Sequence, residues 1–168
     1  MRPDSQFVPH GDPERFRHVL SHVPTSVVIV TGATADGGQA GMAVGSFTSI
    51  SLDPQLVGFY PAGTSTSWPP IRASGRFCVN VLAQGQDELA ARFARRGGDK
   101  FDGLRFDSAP HSGGAILPGV VAWIDCELDR EIELGDHSLV VGQVIDLGVA
   151  RSEHPMVFSR GSYPVLGS

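Results

Sequence analysis

The sequence predicts a mainly β protein, an antiparallel barrel that is closed or nearly closed and carries two or three short helices. Three observations support this class. About seven strand-like segments follow one another along the chain, and most are joined by short turns. Residues 122–134 alternate apolar and mostly acidic side chains, and the helix-like segments are few and short. The 168 residues, with no internal repeat or linker, fit a single domain spanning 1–168.

The first predicted element is a short helix. Residues 1–10 are polar and predict a loose N-terminus. Asp12 followed by Pro13 is typical of a helix start, since Asp caps free N–H groups and Pro fits the first turn. Apolar residues at i, i+3, i+4 and i+7 give the helix one apolar face before Pro24 ends it. These residues are Phe16, Val19, Leu20 and Val23.

Three strands are predicted next. Residues 26–31 are a β-branched run, residues 35–38 a hairpin turn, and residues 41–54 the returning second strand. Residues 56–60 follow as the third. The second strand combines hydroxyls with small residues, so it is either a seat for a flat cofactor against the backbone or an ordinary Ser/Thr-rich strand. The small residues are Gly41, Ala43, Gly45 and Ser46.

Residues 64–72 predict a helix start, with Ser or Thr at the cap and prolines in the first turn. Free N–H groups beside three hydroxyls would bind a phosphate, and an ordinary capped helix is the alternative. Residues 76–82 predict a strand in which Asn80 is the one polar residue of an apolar run. A buried amide must find partners, so Asn80 either fixes a loop or contacts a ligand.

The last third begins with an amphipathic helix over residues 86–96, which Gly97-Gly98 stops, and a loop without regular period up to residue 118. Two long strands, 122–134 and 139–149, form a hairpin, and residues 156–159 form the final strand. The acidic positions from Asp125 to Glu133 predict a solvated strand face.

His137 lies at the tip of the long hairpin beside Asp136. This placement can hold one imidazole tautomer and direct the other nitrogen outward, and a surface turn histidine is the alternative. No dinucleotide-binding Gly-x-Gly-x-x-Gly, nucleotide-binding Gly-rich loop or Gly-x-Ser-x-Gly elbow is found. Cys78 and Cys126 have no metal-ligand spacing and are interpreted as buried thiols, so no metal site is expected.

Composition restricts the class of partner. Hydrophobic residues make up 41% and charged residues 18%, as in compact globular proteins. The net charge is −5 and no basic cluster is longer than Arg95-Arg96, which disfavours nucleic acid and anionic membranes as partners. No apolar run reaches bilayer length and the N-terminus has no signal core, so a cytoplasmic protein that acts on small molecules is expected.

Taken together, these stretches resemble the flavin reductase-like family, the FMN-binding split barrels that supply reduced flavin to two-component monooxygenases. The resemblance covers about residues 14–166 and rests on the order and spacing of six segments. The segments are residues 24–31, 41–54, 65–68, 77–82, 135–137 and 161–163.

The resemblance implies a split β-barrel and a set of site residues. His137 would help to receive the nicotinamide and is the one catalytic candidate. The other residues would contact the flavin. Those at the isoalloxazine ring would be Met42, Ala43, Val44 and Ser46, those at the ribityl chain Thr48 and Ser49, those around the phosphate Ser65, Thr66, Ser67 and Trp68, and those bordering the flavin Asn80, Val81 and Leu82. Lys100, Phe101 and Tyr163 are weaker correspondences near the site.

The function implied is an NAD(P)H:flavin oxidoreductase. It would transfer hydride from NADH or NADPH to FMN or FAD and supply reduced flavin to a separate oxygenase. Such barrels usually pair, so a homodimer is expected. The alternative is a flavoprotein with tightly bound FMN that acts on an organic substrate or serves as a flavin carrier. Because the cofactors carry the chemistry, no catalytic triad is required.

Overall fold

The computed structural model describes residues 11–167, so the predicted loose N-terminus lies outside the described residues. The fold is mainly β, as predicted. The helices are α1 (Pro13–Leu20), α2 (Trp68–Ser74) and α3 (Asp87–Ala94). The strands are β1 (Thr25–Ser26), β2 (Val28–Ala33), β3 (Gln39–Val44), β4 (Thr48–Leu52), β5 (Gln55–Phe59), β6 (Arg76–Val81), β7 (Asp107–Ser108), β8 (Ala115–Ile116), β9 (Ala122–Leu134), β10 (His137–Val149) and β11 (Val157–Phe158).

One antiparallel sheet of seven strands dominates the molecule, in the order β3-β2-β6-β9-β10-β5-β4. Two small sheets, β1 with β11 and β7 with β8, complete it. The longest pairing joins β9 to β10, where His137 faces Leu134 and Val149 faces Ala122. The predicted long hairpin is therefore confirmed.

The predicted continuous second strand over 41–54 is wrong. The chain leaves β3 after Val44, and β4 begins only at Thr48. β3 and β4 then lie at opposite ends of the sheet order. The break is fixed at Ser46, whose hydroxyl accepts a hydrogen bond from the Tyr60 N–H over 2.9 Å. The two halves of the predicted cofactor seat are thus separate strands.

The core has two parts because β2 is covered on both faces. Val28 and Val30 pack into one cluster with Phe59 and Phe77. Val27 and Ile29 belong to a second cluster with Phe93 and other residues. Successive side chains of a strand point to opposite faces, so the unbroken β-branched run fills two clusters at once.

The acidic face predicted on β9 is only partly solvated. Asp125 is fully buried and accepts hydrogen bonds from the N–H groups of His111 and Ser112, the former over 2.6 Å. The loop before β8 therefore covers this position. A buried carboxylate is tolerated when backbone donors satisfy it, so Asp125 holds the loop in place.

Both cysteines are free and buried, as predicted. Burial raises the pKa of Cys126 to about 12 and also raises the pKa of Cys78, with a smaller contribution from nearby Asp125 in each case. Neither thiol is therefore reactive at neutral pH. Among the described helices, none has the length and apolar character needed to cross a bilayer.

Candidate functional site

A cavity of about 500 Å³ opens where β3, the loop after β5, the end of α3 and the tip of the β9–β10 hairpin meet. This volume is within the range typical of small-molecule sites, about 300–1,000 Å³. Eight of the predicted site residues line the cavity. They are Met42, Ala43, Val44, Ser46, Ser65, Thr66, Ser67 and His137.

The loop over residues 62–67, here called the hydroxyl loop, is held by local hydrogen bonds. The Ser65 N–H donates to the Ala62 carbonyl over 2.9 Å, and the Ser65 hydroxyl accepts from the Trp68 N–H over 3.2 Å. Pro69 and Pro70 lie in the first turn of α2, where a missing N–H costs nothing. The hydroxyls of Thr66 and Ser67 thus stand at the cavity wall beside the start of a helix.

Lys100 is the residue around which the cavity is organised. Its ammonium donates to the Gly41 carbonyl over 3.0 Å, to the Phe93 carbonyl over 3.1 Å and to the Ser67 hydroxyl over 3.1 Å. These contacts join β3, α3 and the hydroxyl loop. Only 9% of Lys100 is exposed, and burial lowers its pKa from the usual 10.5.

The electrostatics of the cavity favour an anion. Lys100, Arg95 and Arg96 line it, and none of the described residues at its wall is acidic. Lys100 forms no ion pair within residues 11–167. A largely buried ammonium without a counter-ion is costly, so a bound phosphate would relieve it. The Arg96 guanidinium donates to the Thr64 hydroxyl over 3.1 Å, which holds a second cation at the rim.

The hairpin tip brings His137 to the cavity wall, where it pairs with Ala62 at the start of the 62–67 loop. The Gly63 N–H donates to the Asp136 carbonyl over 2.8 Å, and the Ser138 N–H donates to the Pro61 carbonyl over 3.1 Å. His137 Nδ1 lies 2.7 Å from Asp136 Oδ1. The hydrogen bond and the charge of His137 both lower the pKa of Asp136. With Nδ1 engaged, Nε2 is the nitrogen available to a ligand, and the role of His137 toward a nicotinamide stays a prediction.

Six other predicted contacts lie away from this cavity. Asn80 is fully buried; its amide donates to the Ala115 carbonyl over 2.9 Å and its Oδ1 accepts from the Leu117 N–H over 2.8 Å. Of the two interpretations left open for Asn80, the structure supports the loop anchor. Leu82 is buried in the second core cluster, and Val81 packs against the first.

Trp68 is also a core residue rather than a cavity residue. It is 5% exposed, packs edge-on against Phe59 and Phe77, and its Nε1 donates to Glu131 over 3.2 Å. Thr48 and Ser49 are exposed on the edge strand β4, away from the cavity wall, and their flavin contacts stay predictions. Gly41 leaves no bare surface, because a Cβ there would lie 2.5 Å from Phe93 Cε1.

Sequence reasoning left out Tyr60, Arg95 and Arg96 and gave Lys100 only a weak correspondence. One signal was available, since Lys100 is the single lysine of the chain and its other twelve basic side chains are arginines. Lysine differs from arginine in presenting a compact ammonium with three separate donors, which suits the three contacts made here.

The model of the family described as "Flavin reductase like domain" matches residues 20–167. The chain belongs to this family. It is 49% identical over 152 residues to a flavin reductase of Pseudomonas putida, covering 90% of this chain and 89% of that one. It is 46% identical over 152 residues to the reductase subunit HsaB of a flavin-dependent monooxygenase of Rhodococcus jostii, covering 90% and 77%.

Solved structures of flavin reductase-like proteins share the fold. The NADH:FAD oxidoreductase SgcE6 of Streptomyces globisporus superposes with a TM-score of 0.87 at 32% identity, covering 93% of each chain. A second structure of that protein contains NAD and FAD fragments. The predicted family and the predicted split-barrel fold are thus confirmed. The predicted enzyme class, an NAD(P)H-dependent flavin reductase, is confirmed by these relatives. The predicted cofactors, a flavin and a nicotinamide, are confirmed as well.

Proposed function

We propose that this flavin reductase-like protein transfers hydride from NADH or NADPH to FMN or FAD and releases the reduced flavin to a separate oxygenase. The observation that carries the proposal is the cavity around Lys100, whose described lining includes Arg95, Arg96, the hydroxyl loop and His137 and no acidic residue. The cations and hydroxyls suit the phosphate of a flavin, and His137 suits a nicotinamide.

The flavin supplies the acceptor for hydride, so the chain's own residues need only bind and orient the two rings. Lys100, Thr66 and Ser67 would hold the phosphate through a charge and hydroxyl donors. Met42, Ala43, Val44 and Ser46 would lie along the isoalloxazine ring, where backbone N–H groups stabilise negative charge. His137 would position the nicotinamide through Nε2, while Asp136 fixes its ring.

Two features favour an exchanging flavin over a permanently bound one. The cavity is open to solvent at the hairpin tip, since His137 is an exposed residue. The reductase subunit HsaB, a relative at 46% identity, belongs by name to a flavin-dependent monooxygenase. A reductase that serves a separate oxygenase must let its product leave. A cytoplasmic location stays a prediction.

We also propose a homodimer. The apolar side chains of α1 are 46–67% exposed, although an amphipathic helix normally covers its apolar face. Leu52 and Val149 add further exposed apolar surface, at 90% and 81%. A second copy of the chain would bury α1, and a partner oxygenase is the competing occupant.

The test is the dependence of the NADH oxidation rate on the concentration of added free flavin. An exchanging substrate gives a rate that saturates with flavin far in excess of protein. A rate that is already maximal at one flavin per chain would favour the tightly bound alternative instead. A protein that binds flavin but shows no turnover with either nicotinamide would refute the proposal.

A further inference from the structure

A second cavity, of about 820 Å³, shares Lys100 with the first. It is bounded by the hairpin turn between β2 and β3, the start of α2 and the loop that follows α3. Its wall combines glycine backbone with aromatic rings. The residues that the argument uses are Thr66, Ser67, Asp99, Lys100, Phe101 and Phe106.

Three residues are common to both cavities. Thr66, Ser67 and Lys100 line the first and the second alike. These are the residues assigned above to the flavin phosphate. A group attached to that phosphate on the side away from the ring would therefore enter the second cavity directly. In FAD that group is an adenylate.

The aromatic part of the wall suits a planar base. Phe106 lines the cavity and is 37% exposed, although it is a large apolar side chain. Its ring is fixed edge-on against Phe101 at 5.7 Å between centroids, and Phe101 is fixed against Phe93 at 5.1 Å. A partly exposed aromatic ring that is held in place is a stacking surface for a nucleobase.

Polar groups are also available for the sugar and the base. Asp99 lines the cavity, and its Oδ1 accepts a hydrogen bond from the Phe101 N–H over 2.9 Å, which fixes the carboxylate. A fixed carboxylate can accept from ribose hydroxyls or an exocyclic amine. Four further wall residues, Gly37, Gly38, Gly97 and Gly98, carry no side chain.

We propose that this second cavity receives the adenylate half of FAD, so that the protein binds FAD more tightly than FMN. The inference rests on the proposed function, because it assumes the flavin phosphate at Lys100. The adenylate of the nicotinamide dinucleotide has the same chemistry. The flavin is favoured because the three shared residues connect the second cavity to the proposed phosphate site, whereas His137 does not line the second cavity.

The experiment measures dissociation constants of FMN and FAD by equilibrium dialysis, together with the KM for NADH. Three proteins are compared: the wild type, Phe106→Ala and the control Phe158→Ala, which removes a ring of similar exposure, 38%, outside both cavities. We expect the wild type to bind FAD about tenfold more tightly than FMN. Phe106→Ala should weaken FAD about five- to tenfold and leave FMN within about twofold. Phe158→Ala should change neither.

Several results would overturn the proposal. Equal or weaker binding of FAD than FMN by the wild type would do so without any variant. If Phe106→Ala weakened the binding of FMN and FAD equally, the proposal would be wrong. It would also be wrong if Phe106→Ala raised the KM for NADH and left FAD binding unchanged. The two proposals fail separately: FMN reduction without any preference for FAD removes only the adenylate site, whereas failure to reduce either flavin removes the proposed function.

Discussion

The Lys100 ammonium donates a hydrogen bond to the Ser67 hydroxyl over 3.1 Å, across 33 positions of the chain. This contact ties the loop after α3 to the hydroxyl loop before α2. The other two N–H groups of the Lys100 ammonium donate to the Gly41 and Phe93 carbonyls. One side chain thus joins three elements and places its charge at the wall of the cavity.

The protonation of Lys100 should depend on whether phosphate is bound. Burial lowers its pKa from 10.5, and a phosphate beside it favours the charged form, so FMN should raise that pKa again. The affinity for FMN should correspondingly fall as the pH rises through the pKa of the free protein. Lys100 is the single lysine, so a protein labelled with ¹³C-lysine gives one Cε signal to titrate by NMR.

Riboflavin, which lacks the phosphate, is the control ligand for that titration and should move the midpoint less than FMN. If FMN and riboflavin left the midpoint of the Cε titration equally unchanged, the phosphate would not lie at Lys100.

His137 should act on the nicotinamide more than on the flavin. Replacing His137 with Ala removes the nitrogen that faces the cavity and should raise the KM for NADH about fivefold or more, with flavin affinity nearly unchanged. Asp136→Asn is the matched variant. Because the Asp136 carboxylate is exposed, its pairing with His137 is screened by water, and the KM should rise by no more than about twofold. Equal losses of NADH and flavin binding in His137→Ala would refute the assignment.

Asn80 should matter for stability and not for binding. Asn80→Ala leaves the Leu117 N–H without its acceptor and the Ala115 carbonyl with one donor fewer in the core. We expect the free energy of unfolding in urea to fall by about 2–3 kcal/mol. Thr31→Val, which removes one 2.7 Å bond to the same Ala115 carbonyl, is the milder comparison at about 1 kcal/mol. A weaker affinity for FMN with unchanged stability would instead identify Asn80 as a ligand contact.

The exposed face of α1 should hold two copies together. Val19→Glu places a charge in the apolar face of α1 formed with Phe16 and Leu20, and should convert a dimer into monomers in light scattering. His18→Glu puts the same charge on the opposite face of the helix and should leave the dimer intact. A wild-type protein that is monomeric at micromolar concentration would contradict the homodimer.

Much of the fold could be predicted because its patterns are local. The long hairpin follows from alternation along 122–134 and the Gly135-Asp136 turn, and the N-cap at Asp12 from its neighbour Pro13. The break after Val44 was missed, because residues 45–47 carry no proline and the residues around them suit a strand. Asp125 was misplaced because alternation does not reveal that a distant loop covers the position.

The site was predicted in part for the same reason. Met42 to Ser46 and Ser65 to Ser67 are short segments with a recognisable character, and both line the cavity. Lys100 was undervalued because its three partners come from positions 41, 67 and 93, which become neighbours only in the folded chain. Charge balance in a cavity is a tertiary property, so the local pattern of residues did not reveal it.

The most direct test is anaerobic reduction of excess flavin by NADH, followed through the visible flavin absorbance, in the wild type and in Lys100→Met. The wild type should bleach the whole FMN pool over many turnovers. The variant should need about ten- to a hundredfold more FMN to reach the same rate, while both proteins reduce riboflavin alike. Bleaching that stops at one flavin per chain, or a variant that is indistinguishable from the wild type on FMN, would contradict flavin exchange and the phosphate site at Lys100 respectively.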